Sequence, residues 1–181
     1  MLAIICDSTC DIPQKLVREY DIRVVPQYVI LGDEQYRDRV DLQPEAFYQR
    51  LTTDEERPTT SQATLKDFLD EIKAAKQDGA SEAIILTVSS AMSGTYQVAS
   101  QAAEEADILV RVIDSKGPTM TLGWQVLAAA RARDEGATTE EIIQCVAEVR
   151  EKMVQVVAMQ TLDYLQTGGR IGDAAKWVGP Y

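Results

Sequence analysis

Apolar residues follow two rhythms along this chain. Short, mostly apolar runs at residues 2–6, 83–88 and 109–113, the last carrying Arg111 at its centre, are bounded by polar or turn residues. Runs of that length fit strands buried on both faces. Elsewhere apolar residues recur at steps of three and four, as in Leu65, Phe68, Leu69 and Ile72, or Ile142, Val146 and Val149 followed by Met153. That spacing places each set on one face of a helix.

Punctuation residues set the remaining boundaries. Pro13 and Pro44 each open a helix, since proline suits a first helical turn, and these run to about Tyr20 and Leu51. Residues 23–30 read as one β-rich run, Gly32-Asp33 as a turn and residues 52–62 as a polar loop. The helix carrying Phe68 ends near Gly79, and a helix over about 94–104 follows the strand at 83–88. Asp114-Ser115 ends the next strand. Pro118 precedes a helix to about Glu135, stopped by Gly136. Thr138 and Glu141 form a capping-box pattern before the last helix, and residues 154–159 read as a further strand.

Strands alternate with helices to about residue 153. This order predicts an α/β fold, a parallel sheet flanked by helices. It forms an N-terminal domain over 1–153, with 154–181 as the start of an incomplete second α/β lobe. Ligands on such sheets bind outside the carboxyl ends of the strands.

Composition then narrows the chemistry. The formal net charge of −11 argues against unaided binding to nucleic acid or anionic membranes. No apolar stretch approaches the ~20 residues needed to span a bilayer, so integral membrane insertion is not expected. The N-terminus has no basic segment before its apolar run, which Asp7 interrupts. It does not read as a signal peptide, and the expected location is the cytoplasm. The three cysteines, Cys6, Cys10 and Cys145, suit neither a disulfide framework nor, without histidine, a zinc site. No metal or cofactor is expected. There is no Walker A or Gly-x-Gly-x-x-Gly sequence to hold a nucleotide.

Three hydroxyl-rich segments carry the functional signal: Asp7-Ser8-Thr9, Thr59-Thr60-Ser61-Gln62 and Ser93-Gly94-Thr95-Tyr96. The first and third follow buried runs. Hydroxyls and free N–H groups at a strand-to-helix junction form a neutral cradle for an anion. Each segment also has a plainer reading. Ser93 and Ser61 read equally as helix N-caps, and Asp7 as a strand terminator. Gly94 permits close approach of a ligand to the backbone. Gly168-Gly169-Arg170-Ile171 offers a guanidinium to a phosphate or carboxylate, or is a glycine turn with an exposed arginine. A serine nucleophile needs a base, and the chain has no histidine and no lysine beside these segments. No catalytic residue is assigned.

Together Cys6-Asp7-Ser8-Thr9-Cys10-Asp11-Ile12-Pro13, Pro58-Thr59-Thr60-Ser61-Gln62, Ser93-Gly94-Thr95-Tyr96, Asp114-Ser115 and Thr161-Leu162-Asp163-Tyr164-Leu165 followed by Gly168-Gly169-Arg170-Ile171 resemble the DegV family. Their order matches across nearly the whole chain. The resemblance implies a bacterial fatty-acid-binding protein, not itself an enzyme. Its ligand would be a long-chain fatty acid such as palmitate or oleate, presented to a separate ATP-binding fatty acid kinase subunit for acyl-phosphate formation. It implies that Thr60, Ser61 and Ser93 hold the carboxylate, with Ser8, Gly94, Thr95 and Arg170 at the same site and the acyl chain in an apolar tunnel. Two departures stand out. Ala63 occupies the position where the family usually has proline, and family members are longer and often supply a histidine near the head group. The expectation is therefore an incomplete second lobe, with a poorly ordered tail over 168–181 or association covering the open side. The rival functions are a truncated interaction module without lipid binding and a serine-dependent hydrolase or transferase.

Overall fold

The computed structural model of the protein describes residues 1–53 and 57–170. Contacts divide the chain into two compact units, residues 1–26 with 62–154, and residues 27–61 with those from 155 on. A single division after residue 153 leaves out this excursion of the chain over 27–61.

The first unit is built on a parallel sheet of β1 (Leu2–Asp7), β2 (Ile22–Val25), β6 (Glu82–Thr87) and β7 (Leu109–Asp114), in the order β2-β1-β6-β7. Both faces are covered, which is why the central strands are continuously apolar. Along β1 and β6 the side chains alternate between two cores. Ile4, Cys6, Ile84 and Leu86 meet α1 (Gln14–Glu19), α5 (Met120–Asp134) and α6 (Thr139–Lys152). Ala3, Ile5, Ala83 and Ile85 meet α3 (Leu65–Gln77) and α4 (Thr95–Glu105). Helix α3 buries one stripe, Phe68, Ile72 and Ala75. Helix α5 is buried around much of its circumference, because it lies between the sheet and α6. Each fully buried large side chain contributes about 1.5–3 kcal/mol.

The second unit contains an antiparallel sheet ordered β4-β3-β5, from β3 (Tyr28–Leu31), β4 (Glu34–Arg37) and β5 (Thr59–Ser61). It also holds α2 (Pro44–Thr53) and α7 (Asp163–Thr167). Arg57 lies 3.6 Å from Asp163 and stacks over the Tyr164 ring at 5.8 Å.

Several expectations are corrected. The β-rich run at 23–30 breaks at Pro26–Gln27 into two strands of different sheets. Pro26 has no N–H for a ladder, and the Gln27 carbonyl instead accepts from the Asp38 N–H at 2.8 Å. The expected loop at 52–62 contains β5, paired with β3 through Tyr28 opposite Ser61, Val29 opposite Thr60 and Ile30 opposite Thr59. Its residues 54–56 lie outside the described residues. The strand expected at 154–159 has no ladder, and Val154 and Val156 are 88% and 86% exposed. Its side chains suit a sheet, but no neighbouring strand pairs with it among the described residues. The N-cap of α3 is Thr64 rather than Ser61, in a reciprocal box with Asp67. The box expected at Thr138 and Glu141 is present. Of the segment 168–181, residues 168–170 close α7, with Gly169 at φ 73°, and the remainder, including Ile171, lies outside the described residues.

Candidate functional site

The chain leaves β1 through α1 to β2 on one side and returns through α3 to β6 on the other. The carboxyl ends of β1 and β6 therefore flank the point where strand order reverses, the place for a ligand in an open parallel sheet. Three loops meet along this edge, following β1, β6 and β7.

Asp7 ends β1 and is fully buried. One carboxylate oxygen accepts the Thr9 N–H at 3.0 Å and the Thr9 hydroxyl at 2.5 Å. The other accepts the Val88 N–H at 2.7 Å, across to the end of β6. The residue therefore orients donors around it, beyond terminating a strand. Ser8 follows in a short 3-10 turn and is itself buried.

The loop after β6 turns tightly, with the Met92 and Ser93 N–H groups both donating to the Ser89 carbonyl at 2.9 and 3.1 Å. Helix α4 then starts with Gly94 as its N-cap and no side-chain cap bond. The Ser93 hydroxyl lies 2.8 Å from the Thr95 hydroxyl and accepts the Thr95 N–H at 3.3 Å. The first turn of α4 carries no acidic residue, so no side-chain carboxylate in that turn offsets its partial positive charge. Ser93 is half-buried and Thr95 fully buried. A Cβ on Gly94 would collide with the side-chain amide of Gln62, which places the end of the Thr-Thr-Ser-Gln segment against the Ser-Gly-Thr turn.

Asp114 closes β7. It accepts the Ser90 N–H at 3.2 Å, the Ser90 hydroxyl, the Lys116 N–H at 2.9 Å and the Lys116 ammonium at 2.8 Å. Burial pushes its carboxyl up, but hydrogen bonds from Lys116 and Ser90 outweigh burial and hold it below the ordinary aspartate range. Such a carboxylate is a weak base. At Cys6 the hydrogen bond with Cys10, then burial, push the thiol well up. It is a core residue, without thiolate character at neutral pH.

The remaining expected residues lie in the second unit. Thr60 and Ser61 are exposed on β5, the edge strand beside β3. The Arg170 guanidinium donates to the Gly168 carbonyl at 2.5 Å. Ser90, Gln62 and Asp114 contribute although none was assigned as a site residue; Gln62 and Asp114 stood inside segments already quoted, and Ser90 in the polar run that leads from the strand at 83–88 to Ser93. Among the described residues no group of acidic or cysteine side chains is arranged to hold a metal. No helix among them is long and apolar enough to cross a membrane.

A parallel sheet flanked by helices, with hydroxyls at a helix N-terminus beside its switch point, defines the class as an α/β protein. Residues 1–181 match the DegV family, whose description is "Uncharacterised protein, DegV family". The chain belongs to the DegV family. A DegV domain-containing protein of Caldanaerobacter subterraneus is 38% identical over 180 residues, covering 98% of this chain and 63% of the relative. Among solved structures, a fatty-acid-binding DegV family protein from Thermus thermophilus superposes with a TM-score of 0.87 at 33% identity, over 98% of this chain and 63% of that one. DegV of Bacillus subtilis, a fatty acid binding protein, gives 0.86 at 28% identity, over 99% and 64%. The chain thus spans less than two thirds of the length of these relatives.

Proposed function

We propose that the protein binds a long-chain fatty acid and takes its carboxylate at the N-terminus of α4. The observation that carries this is the Ser93–Thr95 hydroxyl pair, 2.8 Å apart, at a helix start with no acidic residue in its first turn. A carboxylate placed there gains charge-assisted bonds, each worth about 1.5–3 kcal/mol. Ser8 and Gly94 shape the cradle. The fatty-acid binding of the two solved relatives supports the ligand class. Burial of an acyl chain adds about 0.8 kcal/mol per methylene, before ordering costs. The bound acid is presented, in the cytoplasm, to a separate ATP-binding kinase subunit, with Arg170 at the phosphoryl-transfer or docking edge.

Denaturing extraction and mass spectrometry of the purified protein should recover fatty acid. Oleate titration of Ser93→Ala should show affinity about three- to tenfold weaker, with the fold intact. No extracted lipid and no oleate uptake would overturn the ligand class. Unchanged affinity in Ser93→Ala would move the head group elsewhere.

A further inference from the structure

The loop carrying Ser93 is held from both sides by buried carboxylates. Asp114 stands opposite Thr87 in the β6–β7 register, while Cys6 stands opposite Leu86 in the β1–β6 register. Asp7 and Asp114 are therefore the last residues of the two strands flanking β6, and their exposures are 0% and 8%. Asp7 takes the Val88 N–H, the first residue of the loop, at 2.7 Å. Asp114 takes both the N–H and the hydroxyl of Ser90, two residues further on. The tight turn to Met92 and Ser93 follows immediately from the Ser89 carbonyl. These bonds fix the segment between the end of β6 and the start of α4.

Two carboxylates beside an anion site would be costly if their charges reached the ligand. Here the Asp114 charge meets the Lys116 ammonium at 2.8 Å, and Arg150 donates to the Asp114 carbonyl at 3.0 Å. The Asp7 charge is taken up by N–H and O–H dipoles. The pair orients the loop while its field is absorbed locally.

We infer that Asp7 and Asp114 are positioning residues that clamp the loop after β6, and through it set the Ser93 hydroxyl and the α4 N-terminus for carboxylate recognition. This rests on the reading of Ser93 as a head-group donor. The clamp acts on recognition of the carboxylate and not on burial of the acyl chain, so its effect is ligand-specific. The Ser90 N–H and hydroxyl donate to different oxygens of Asp114; asparagine keeps only one oxygen and puts an NH2 donor in place of the other, so it cannot accept both bonds in this geometry. Ser90→Ala removes only the hydroxyl bond.

The test compares oleate with oleyl alcohol, which has the same chain without the carboxylate, on wild type, Ser93→Ala, Asp114→Asn and Ser90→Ala. Asp114→Asn should reduce the preference for oleate about three- to tenfold with oleyl alcohol affinity unchanged, and Ser90→Ala should reduce it less. Hydrogen exchange at residues 90–93 should quicken in Asp114→Asn. A preference lost in Ser93→Ala but kept in Asp114→Asn overturns the clamp alone, as does equal weakening toward both ligands or unchanged exchange. A wild-type protein without preference for oleate, or a Ser93→Ala variant that keeps it, overturns the reading of Ser93 and this inference with it.

Discussion

Replacing Asp7 by alanine tests whether a buried carboxylate ties β1 to β6. The substitution removes three acceptor contacts: the Thr9 N–H at 3.0 Å, the Thr9 hydroxyl at 2.5 Å and the Val88 N–H at 2.7 Å. The Val88 bond lies in the interior, so its N–H is left without a partner, at about 1–3 kcal/mol. Losing the Thr9 bonds, at a half-buried site, adds about 1–2 kcal/mol. The total is about 2–5 kcal/mol. For a chain of this size that lowers Tm by roughly 4–20 °C. With a urea slope near 2 kcal/mol per molar, the midpoint falls by about 1–2.5 M. Asp7→Asn keeps one acceptor but turns an amide donor toward either Thr9 or Val88, both donors, and should cost about half as much or more. Urea unfolding of both variants, with hydrogen exchange at Val88, measures the effect. Asp7→Ala within about 1 kcal/mol of wild type, or an unchanged Val88 exchange rate, would show that the carboxylate is not the tie the geometry describes.

The remaining predictions are shorter. Alanine normally favours a helix interior over glycine by about 1 kcal/mol, yet Gly123→Ala in α5 should destabilise the fold. Its Cβ would strike the Cys10 backbone carbonyl and press on Met120 Sδ at 2.9 Å. Thermal melting should therefore show a loss of about 1–3 kcal/mol, and a stabilised variant would mean that α5 can shift away from the turn after β1. Asp114 has a folded pKa below its unfolded value. The stability it contributes is complete above the ordinary aspartate range near 4 and is lost as pH falls through that range toward the folded value. The difference in stability between wild type and Asp114→Asn should be level from pH 7 to 5 and shrink on further acidification, as followed by urea midpoints across pH. Thr138→Ala, which removes the capping-box hydroxyl bound to Glu141 at 2.9 Å, should cost about 1 kcal/mol in the same assay.

Much of this protein was legible as a string. The runs at 2–6, 83–88 and 109–113 became the three adjacent strands of the parallel sheet; the two central ones, β1 and β6, are continuously apolar because both their faces are covered, while the edge strand β7 alternates and carries Arg111. Pro44, Gly136 and the Thr138–Glu141 pair marked helix ends through geometry confined to a few residues. The Ser-Gly-Thr segment was legible as a helix start for the same reason. Tertiary structure decided what local pattern does not encode. Thr59–Ser61 carries no apolar alternation and is a strand only because β3 offers it a ladder. Residues 154–159 have strand-forming side chains and form none, since a strand exists only through its neighbour. Asp7 finds Val88 across 81 positions of sequence and Asp114 finds Ser90 across 24. Propensity and capping are settled within one or two turns of chain, whereas ladder pairing and the partners of a buried charge are settled only when distant segments meet.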